Sequence, residues 1–371
     1  MDDKANATNP PDTPVSNRLV SVVVPIFNAE PYLDQCLESI RRQFRTNLQI
    51  ICLNDGSTDR SLAIMKRHAT EDNRILIVDK SNEGYGATCN KGIKLAEGEW
   101  VSIIEPDDWI DQGMYERMLT FESGFDADCD IVKTPYWRIL DPDTPNQRKI
   151  NCSYRSRIKP KHQPFTVEEA PHLLRHHPSI WSALYRRTFL SDNGIAFHEI
   201  PGAGWADNPF LIDTLCKAKS IVYLDEPFYC YREDPPEKAE AALRKDPELP
   251  MRRWKDMHRS ISEMGLRSGT VLEELYRRAF TYLDEIEEAG VDEEVLSLMK
   301  KDAFLAMDPT VVLSSKVISP DRKRRFAEAL DLHAPESDSI RWTLAMLGEF
   351  AYTLRNTGLS HTLSMVRKQL R

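Results

Sequence analysis

Residues 19–55 read LVSVVVPIFNAEPYLDQCLESIRRQFRTNLQIICLND, a strand, a helix and a second strand in succession. LVSVVVP is a short β-branched run closed by Pro25, the composition of a strand buried on both faces. In PYLDQCLESIRRQF, Leu33, Leu37, Ile40 and Phe44 recur at helical spacing, so one face is apolar. LQIICLND repeats the strand composition. Outward from this unit the alternation continues. TDRSLAIMKRHA is a helix, RILIVDK a strand, GATCNKGIKLAEG a helix with Gly98 just past its end, and WVSIIE a fourth strand. Strands alternating with helices of this length predict βαβ units in a mostly parallel sheet flanked by helices, an α/β fold. Ligands of such sheets bind at the carboxyl ends of the strands, so the residues after each strand carry the chemistry.

The chain has 371 residues. At about 150 residues per domain this predicts two domains, or one enlarged domain with an appendage. We divide it into a leader (1–18), two halves of one sheet domain (19–123 and 124–235) and an all-helical C-terminal region (236–371). The second half holds short strand-like pieces such as DIVKTPYW and SIVYLD, expected to continue the same sheet. Lys and Arg number 49 against 58 Asp and Glu, a net charge of −9, which argues against wrapping nucleic acid. The seven cysteines include no CxxC pair, which fits a reducing compartment. The first residues, MDDKANATNPPDTPVSN, lack the apolar core of a signal peptide, and no window is apolar enough to span a membrane. A cytoplasmic protein is expected.

The turn after the first strand, PIFNAEP, has no glycine, so neither a dinucleotide fingerprint nor a P-loop is present. After the second strand come Asn54, Asp55, Gly56, Ser57, Thr58 and Asp59. Ser57 or Thr58 suits a helix cap and Asp59 the first turn. Asp55 falls in the crevice, where a carboxylate can accept the ring N–H of a pyrimidine such as uracil. After the third strand, Gly84 and Gly86 allow close approach of backbone to a ligand. After the fourth, Glu105, Asp107 and Asp108 crowd three carboxylates into four residues, which calls for compensation. Oxygen donors with vacancies for phosphate suit Mg²⁺ or Mn²⁺, with Asp107 the favoured ligand. Asp108 is divided evenly between this site and a cap on the next helix.

These four turns, in this order, resemble the family-2 glycosyltransferases of the GT-A fold. The matching pieces are VSVVVPIFNAEPYLDQCLESI, NDGSTD, SNEGYGATCNKGIKLAEGEW and IIEPDDW. SIWSALYRRTFL, PGAGWADNPF and PFYCYRED extend the resemblance to the acceptor half of bacterial surface-polysaccharide members. The resemblance implies a GT-A-like, Rossmann-type mixed sheet. It also implies an inverting transfer of sugar from a nucleoside-diphosphate donor, UDP-linked in the first instance, to a hydroxyl of a glycan or glycolipid acceptor. Carried across, Pro25, Asn28, Asp55, Asn82 and Gly84 line the nucleotide, and Asp107 with Glu105 forms the motif for a divalent cation. Asp207 is the catalytic base. Arg232 either neutralises the diphosphate or pairs with Glu233 or Asp234. Glu105 stands where aspartate is commoner, and Asn54 replaces a frequent first aspartate.

Trp205 is the tryptophan placed to stack on a sugar ring. Arg322, Lys323, Arg324 and Arg325 open a helix and are read as a solvated basic face. Leu359, Leu363, Val366 and Leu370 form an apolar stripe beside Arg367, Lys368 and Arg371, suited to a neighbouring helix or to peripheral contact with a membrane surface. The alternative function is a sugar-nucleotide-binding scaffold that kept the fold without the chemistry.

Overall fold

A computed structural model describes residues 18–43, 47–200, 202, 204–233, 241, 243–333, 342–344 and 346–355. Phe44 and the stripe from Leu359 to Leu370 lie outside the described residues. The first half runs β1 (Leu19–Ile26), α1 (Leu33–Arg41), β2 (Asn47–Asp55), α2 (Ser61–Glu71), β3 (Ile75–Lys80), α3 (Tyr85–Leu95) and β4 (Trp100–Ile103). The first half ends with β5 (Trp109–Ile110) and α4 (Met114–Glu122), and the second half adds β6 (Ile131–Lys133), β7 (Tyr136–Leu140), β8 (Arg148–Asn151) and β9 (Ala183–Arg186). It closes with α5 (Arg187–Asp192), α6 (Asp207–Lys217), β10 (Ile221–Tyr223) and β11 (Tyr229–Arg232).

Seven strands form one sheet in the order β10-β6-β9-β4-β1-β2-β3. β1 lies between β2 and β4, parallel to both, and every residue from Val20 to Ile26 is buried. That double burial is why the run shows no polar alternation. Pro25 is tolerated in so central a strand for a local reason. The β4 ladder ends at Val23–Ile103, and Val23 O accepts from Ile104 N on that side. Pro25 has the same parity as Val23, so its missing N–H falls where β4 has already stopped. α1 buries Leu33, Cys36, Leu37 and Ile40, the positions the periodicity singles out.

Two expectations need correction. The strand-like pieces of the second half do not all extend this sheet. β5, β11, β7 and β8 form a separate four-stranded sheet, while β6, β9 and β10 join the first, with β9 antiparallel to β4 and β6. The piece DIVKTPYW is split between the two sheets at Thr134–Pro135. α2 also begins later than Ser57 or Thr58. Asp59 supports its start instead, accepting from Ser61 N at 2.9 Å.

The C-terminal region is helical as expected: α7 (Leu249–Glu263), α8 (Gly269–Glu288), α9 (Glu293–Ala306), α10 (Pro309–Ser314) and α11 (Pro320–Ala329). α7 packs on α6, and α8 packs on α7. Trp254 is fully buried between them and donates Nε1–H to Leu275 O at 2.9 Å. One hydrophobic cluster includes Val23 of the sheet and Trp254, Ile286 and Phe326 of the helices, so the region shares its core with the sheet domain. The basic stretch on α11 is partly paired, with Arg322 and Arg325 bridging Asp284 of α8. Among the described residues no helix is long and apolar enough to cross a membrane.

Candidate active site

The turns after β1 and β2 are stitched together by short polar side chains. Asn28 sits at φ 51° and its Oδ1 accepts from Thr58 N at 2.8 Å, while its own N–H donates to Ser57 Oγ at 3.0 Å. Asp59 Oδ2 accepts from Glu30 N at 3.0 Å. Ser57 and Thr58 therefore fix the neighbouring turn rather than cap α2.

Asp55 ends β2 buried, and its carboxylate organises the next turn. It accepts from Glu83 N at 2.8 Å, from Gly84 N at 3.0 Å and from the Lys80 ammonium. Asn82 completes the link, donating Nδ2–H to Asp55 O at 2.9 Å. Burial alone would raise the Asp55 pKa. The Lys80 hydrogen bond and charge, with the Glu83 N–H, outweigh it and hold the carboxyl below its ordinary value. Gly84 takes φ 91°, and a Cβ there would stand 2.8 Å from Ile200 O. Its neighbour Tyr85 donates N–H to Gly202 O at 3.0 Å. The glycine turn is thus the seat on which the segment leading to Asp207 rests.

Glu105 follows β4. Its N–H donates to the Tyr229 hydroxyl at 3.2 Å, and its Oε1 accepts from the Tyr85 hydroxyl. Burial, with the nearby carboxylates of Asp107 and Asp207, raises its pKa to about 8 against the opposing Tyr85 bond. Asp107 is exposed beside it. Asp108 is not a helix cap: α4 starts at Met114, and Asp108 instead accepts from the Tyr229 hydroxyl and from Arg232 N, each at 2.7 Å. It welds the carboxylate turn to β11.

Asp207 opens α6, half-buried, with its pKa raised by burial and pulled back by Arg278. A helix N-terminus favours a carboxylate there. Trp205 precedes it at φ 55°, 37% exposed, its ring 5.6 Å from that of Tyr282. Arg232 is nearly buried between Trp109 and Tyr32, 4.7 and 5.0 Å from the ring centroids, and bonds Gln35 and Asp143. Glu233 pairs with Arg138 at 2.5 Å instead, so the Arg232–Glu233 pairing is corrected; Asp234 lies outside the described residues.

Asp55, Asn82 and Gly84 are therefore joined in one turn, and Glu105 feels the charges of both Asp107 and Asp207. Lys80, Tyr85, Tyr229 and Arg278 belong to the same assembly and carry no sequence signal of their own, apart from Tyr85, which lies inside the glycine turn, and Tyr229, which lies inside PFYCYRED. Among the described residues no three His, Cys, Asp or Glu side chains close round a cation.

Residues 21–193 match the family model described as Glycosyl transferase family 2. Those residues therefore carry a region similar to glycosyl transferase family 2. Over 232 residues the chain is 31% identical to the uncharacterized glycosyltransferase EpsJ of Bacillus subtilis (strain 168), covering 58% of this chain and 62% of EpsJ. The chain thus spans about three fifths of that relative. Over 118 residues it is 38% identical to the minor teichoic acid biosynthesis protein GgaB of Bacillus subtilis (strain 168), covering 31% of this chain and 13% of GgaB. Its fold is that of S. aureus TarS 1-349, solved in complex with UDP-GlcNAc, at a TM-score of 0.67 and 21% identity over 91% of each chain. Coverage that wide takes in the C-terminal helices as well as the sheet domain.

Proposed function

We propose that this chain is a family 2 glycosyltransferase that moves a sugar from a UDP-sugar to a hydroxyl of a cell-surface glycan or glycolipid, with inversion. The supporting observation is the placement of Asp207 and Glu105, from opposite halves of the fold, within electrostatic reach of each other beside the turns of the sheet's carboxyl edge. The acceptor hydroxyl attacks the anomeric carbon as the bond to the diphosphate breaks, and its proton passes to Asp207. A single displacement of this kind needs one positioned base. A carboxylate held above its ordinary pKa is a stronger proton acceptor, which suits that role.

Asp55 would take the ring N–H of uracil. A carboxylate has about four acceptor positions, so its existing donors do not exhaust it. Pro25, Asn28, Asn82 and Gly84 would border the nucleotide, and Arg232 would face the diphosphate. The choice of UDP accords with the UDP-GlcNAc complex named for TarS. Burial and like charge hold the Glu105 pKa at about 8, a deficit of positive charge that fits a divalent cation. Asp107 and Glu105 would hold Mn²⁺ or Mg²⁺, with substrate phosphates completing a shell that the protein leaves open. When bound, the ion would neutralise charge growing on the leaving diphosphate. We place the protein in the cytoplasm on the nature of its donor.

The deciding experiment is calorimetric titration of UDP, dTDP, GDP and CDP, with and without Mn²⁺, into wild type and Asp107→Ala. Manganese-dependent UDP binding that the substitution removes is expected. A folded protein that binds none of the four would sink the assignment.

A further inference from the structure

The mechanism above leaves a buried cation unused. Arg278, on α8 of the helical region, is 7% exposed, and its hydrogen bonds go to neutral oxygens. Nη1 donates to Asn208 Oδ1 at 2.6 Å and to the Tyr282 hydroxyl at 3.1 Å, and Nη2 donates to Leu174 O at 2.7 Å and to His176 O. Burying a guanidinium is costly unless a negative group compensates it. The carboxylate that feels its charge is Asp207.

The link between them is Asn208. The Tyr282 hydroxyl also donates to Asn208 Oδ1, at 3.2 Å. With two donors on its oxygen, the carboxamide cannot flip, because its NH₂ would then face the guanidinium. The NH₂ is thereby aimed at Asp207, and Nδ2 donates to Asp207 Oδ1 at 3.2 Å. Side chains seventy and more residues away in sequence set the orientation of the carboxylate that opens α6.

We propose that Arg278 and Tyr282 are positioning residues for Asp207, acting through Asn208. The helical C-terminal region is thus part of the catalytic machinery and not an appendage. The inference rests on Asp207 being the base. Arg278 and Asn208 neither touch substrate nor bind nucleotide. They hold one carboxylate oxygen so that the other faces the acceptor hydroxyl.

The test measures release of UDP from UDP-glucose, UDP-galactose, UDP-GlcNAc and UDP-GalNAc with Mn²⁺, using the best of the four for kinetics. Arg278→Met should lower kcat by roughly tenfold to a hundredfold, the scale of a misplaced catalytic group, with KM and the UDP Kd unchanged. Arg278→Lys should recover part of that loss, since it restores the charge and one donor. In an Asp207→Asn background, Arg278→Met should lower the residual rate no further, because the group it positions is gone. An additive loss in that background, or an unchanged kcat in Arg278→Met, overturns the proposal. Should Arg278→Met fail to fold, Tyr282→Phe removes one donor from Asn208 and keeps the ring, and it must lower kcat without raising KM. Full activity in Asp207→Asn, or turnover of none of the four donors, would instead refute the reading of Asp207 as base, and this proposal with it.

Discussion

The phenolic hydroxyl of Tyr85, the first residue of α3, donates to Oε1 of Glu105 just beyond β4. This bond ties the glycine turn to the carboxylate turn across the mouth of the sheet. It is also the donor that opposes burial and like charge at Glu105. The tyrosine ring is held separately, packed edge-on against Phe197 at 5.6 Å.

Tyr85→Phe should therefore leave the packing intact and strip Glu105 of its stabilising donor. Charged Glu105 becomes costlier, so manganese-dependent UDP binding should weaken by about tenfold, equivalent to one hydrogen bond to a charged group. The melting temperature should hardly move. Manganese titrations at fixed UDP read the first quantity, and a loss of fold without loss of manganese dependence would contradict it.

Asp55 supports a different kind of prediction, because its partners are backbone. In Asp55→Asn one carboxylate oxygen becomes an NH₂ that faces an N–H donor, and Lys80 loses the buried one of its two counter-charges, keeping Glu83. A cost of about 3 kcal/mol is expected, as for a buried pair broken on one side. The pH dependence follows from the direction of each shift. The Asp55 pKa is lowered in the fold, so its contribution is present above the unfolded carboxylate value near pH 4 and is lost as pH falls below it. The Lys80 pKa is raised: burial lowers it, and the bonds to Asp55 and Glu83 more than offset that. Its contribution is therefore present below about pH 10 and is lost above. Urea unfolding of wild type and Asp55→Asn should differ most at neutral pH and converge in acid. A constant gap down to pH 2 would refute the assignment.

Much of this site is legible in the amino-acid sequence. Strands β1 to β4 are continuous apolar runs with helices of clear period between them, so local composition suffices, and the turns that follow carry Asp55, Gly84 and Glu105. The four-stranded sheet is different. β5, β7 and β11 are two to five residues long and pair across the chain, with Tyr229 opposite Ile110 and Tyr136. Their sheet is specified by partners, not by a period. Arg278 is equally silent in sequence, one arginine on a charged helix. Its bond to Asn208, next to Asp207, is made by tertiary packing that no local pattern announces.

Gly84→Ala tests whether the glycine turn and the segment before Asp207 move as one. The added Cβ would meet Ile200 O at 2.8 Å and Gly202 O at 3.1 Å, in a backbone region that disfavours side chains. The strain should cost about 1–3 kcal/mol. Relief by displacing Ile200 and Gly202 would shift Asp207, so kcat should fall more than UDP affinity. Equal loss of both would place the effect in the nucleotide pocket alone.

Arg232 poses the sharpest choice between support and catalysis. Its guanidinium is stacked between Trp109 and Tyr32, and its terminal nitrogens are committed to Gln35 and Asp143. Nε, however, is buried without a hydrogen-bond partner among the described residues. A planar, stacked cation is poorly replaced by lysine, whose ammonium neither stacks nor forks. If the unsatisfied N–H side of Arg232 serves the diphosphate, Arg232→Lys should weaken UDP binding at least tenfold, about 1.4 kcal/mol. Uridine, which lacks phosphate, should then bind as it does to wild type. A brace between β11 and α1 alone would show the reverse, a lower melting temperature with UDP and uridine affected alike. Calorimetry with the two ligands on the same variant separates them, because only the phosphate contact distinguishes nucleotide from nucleoside.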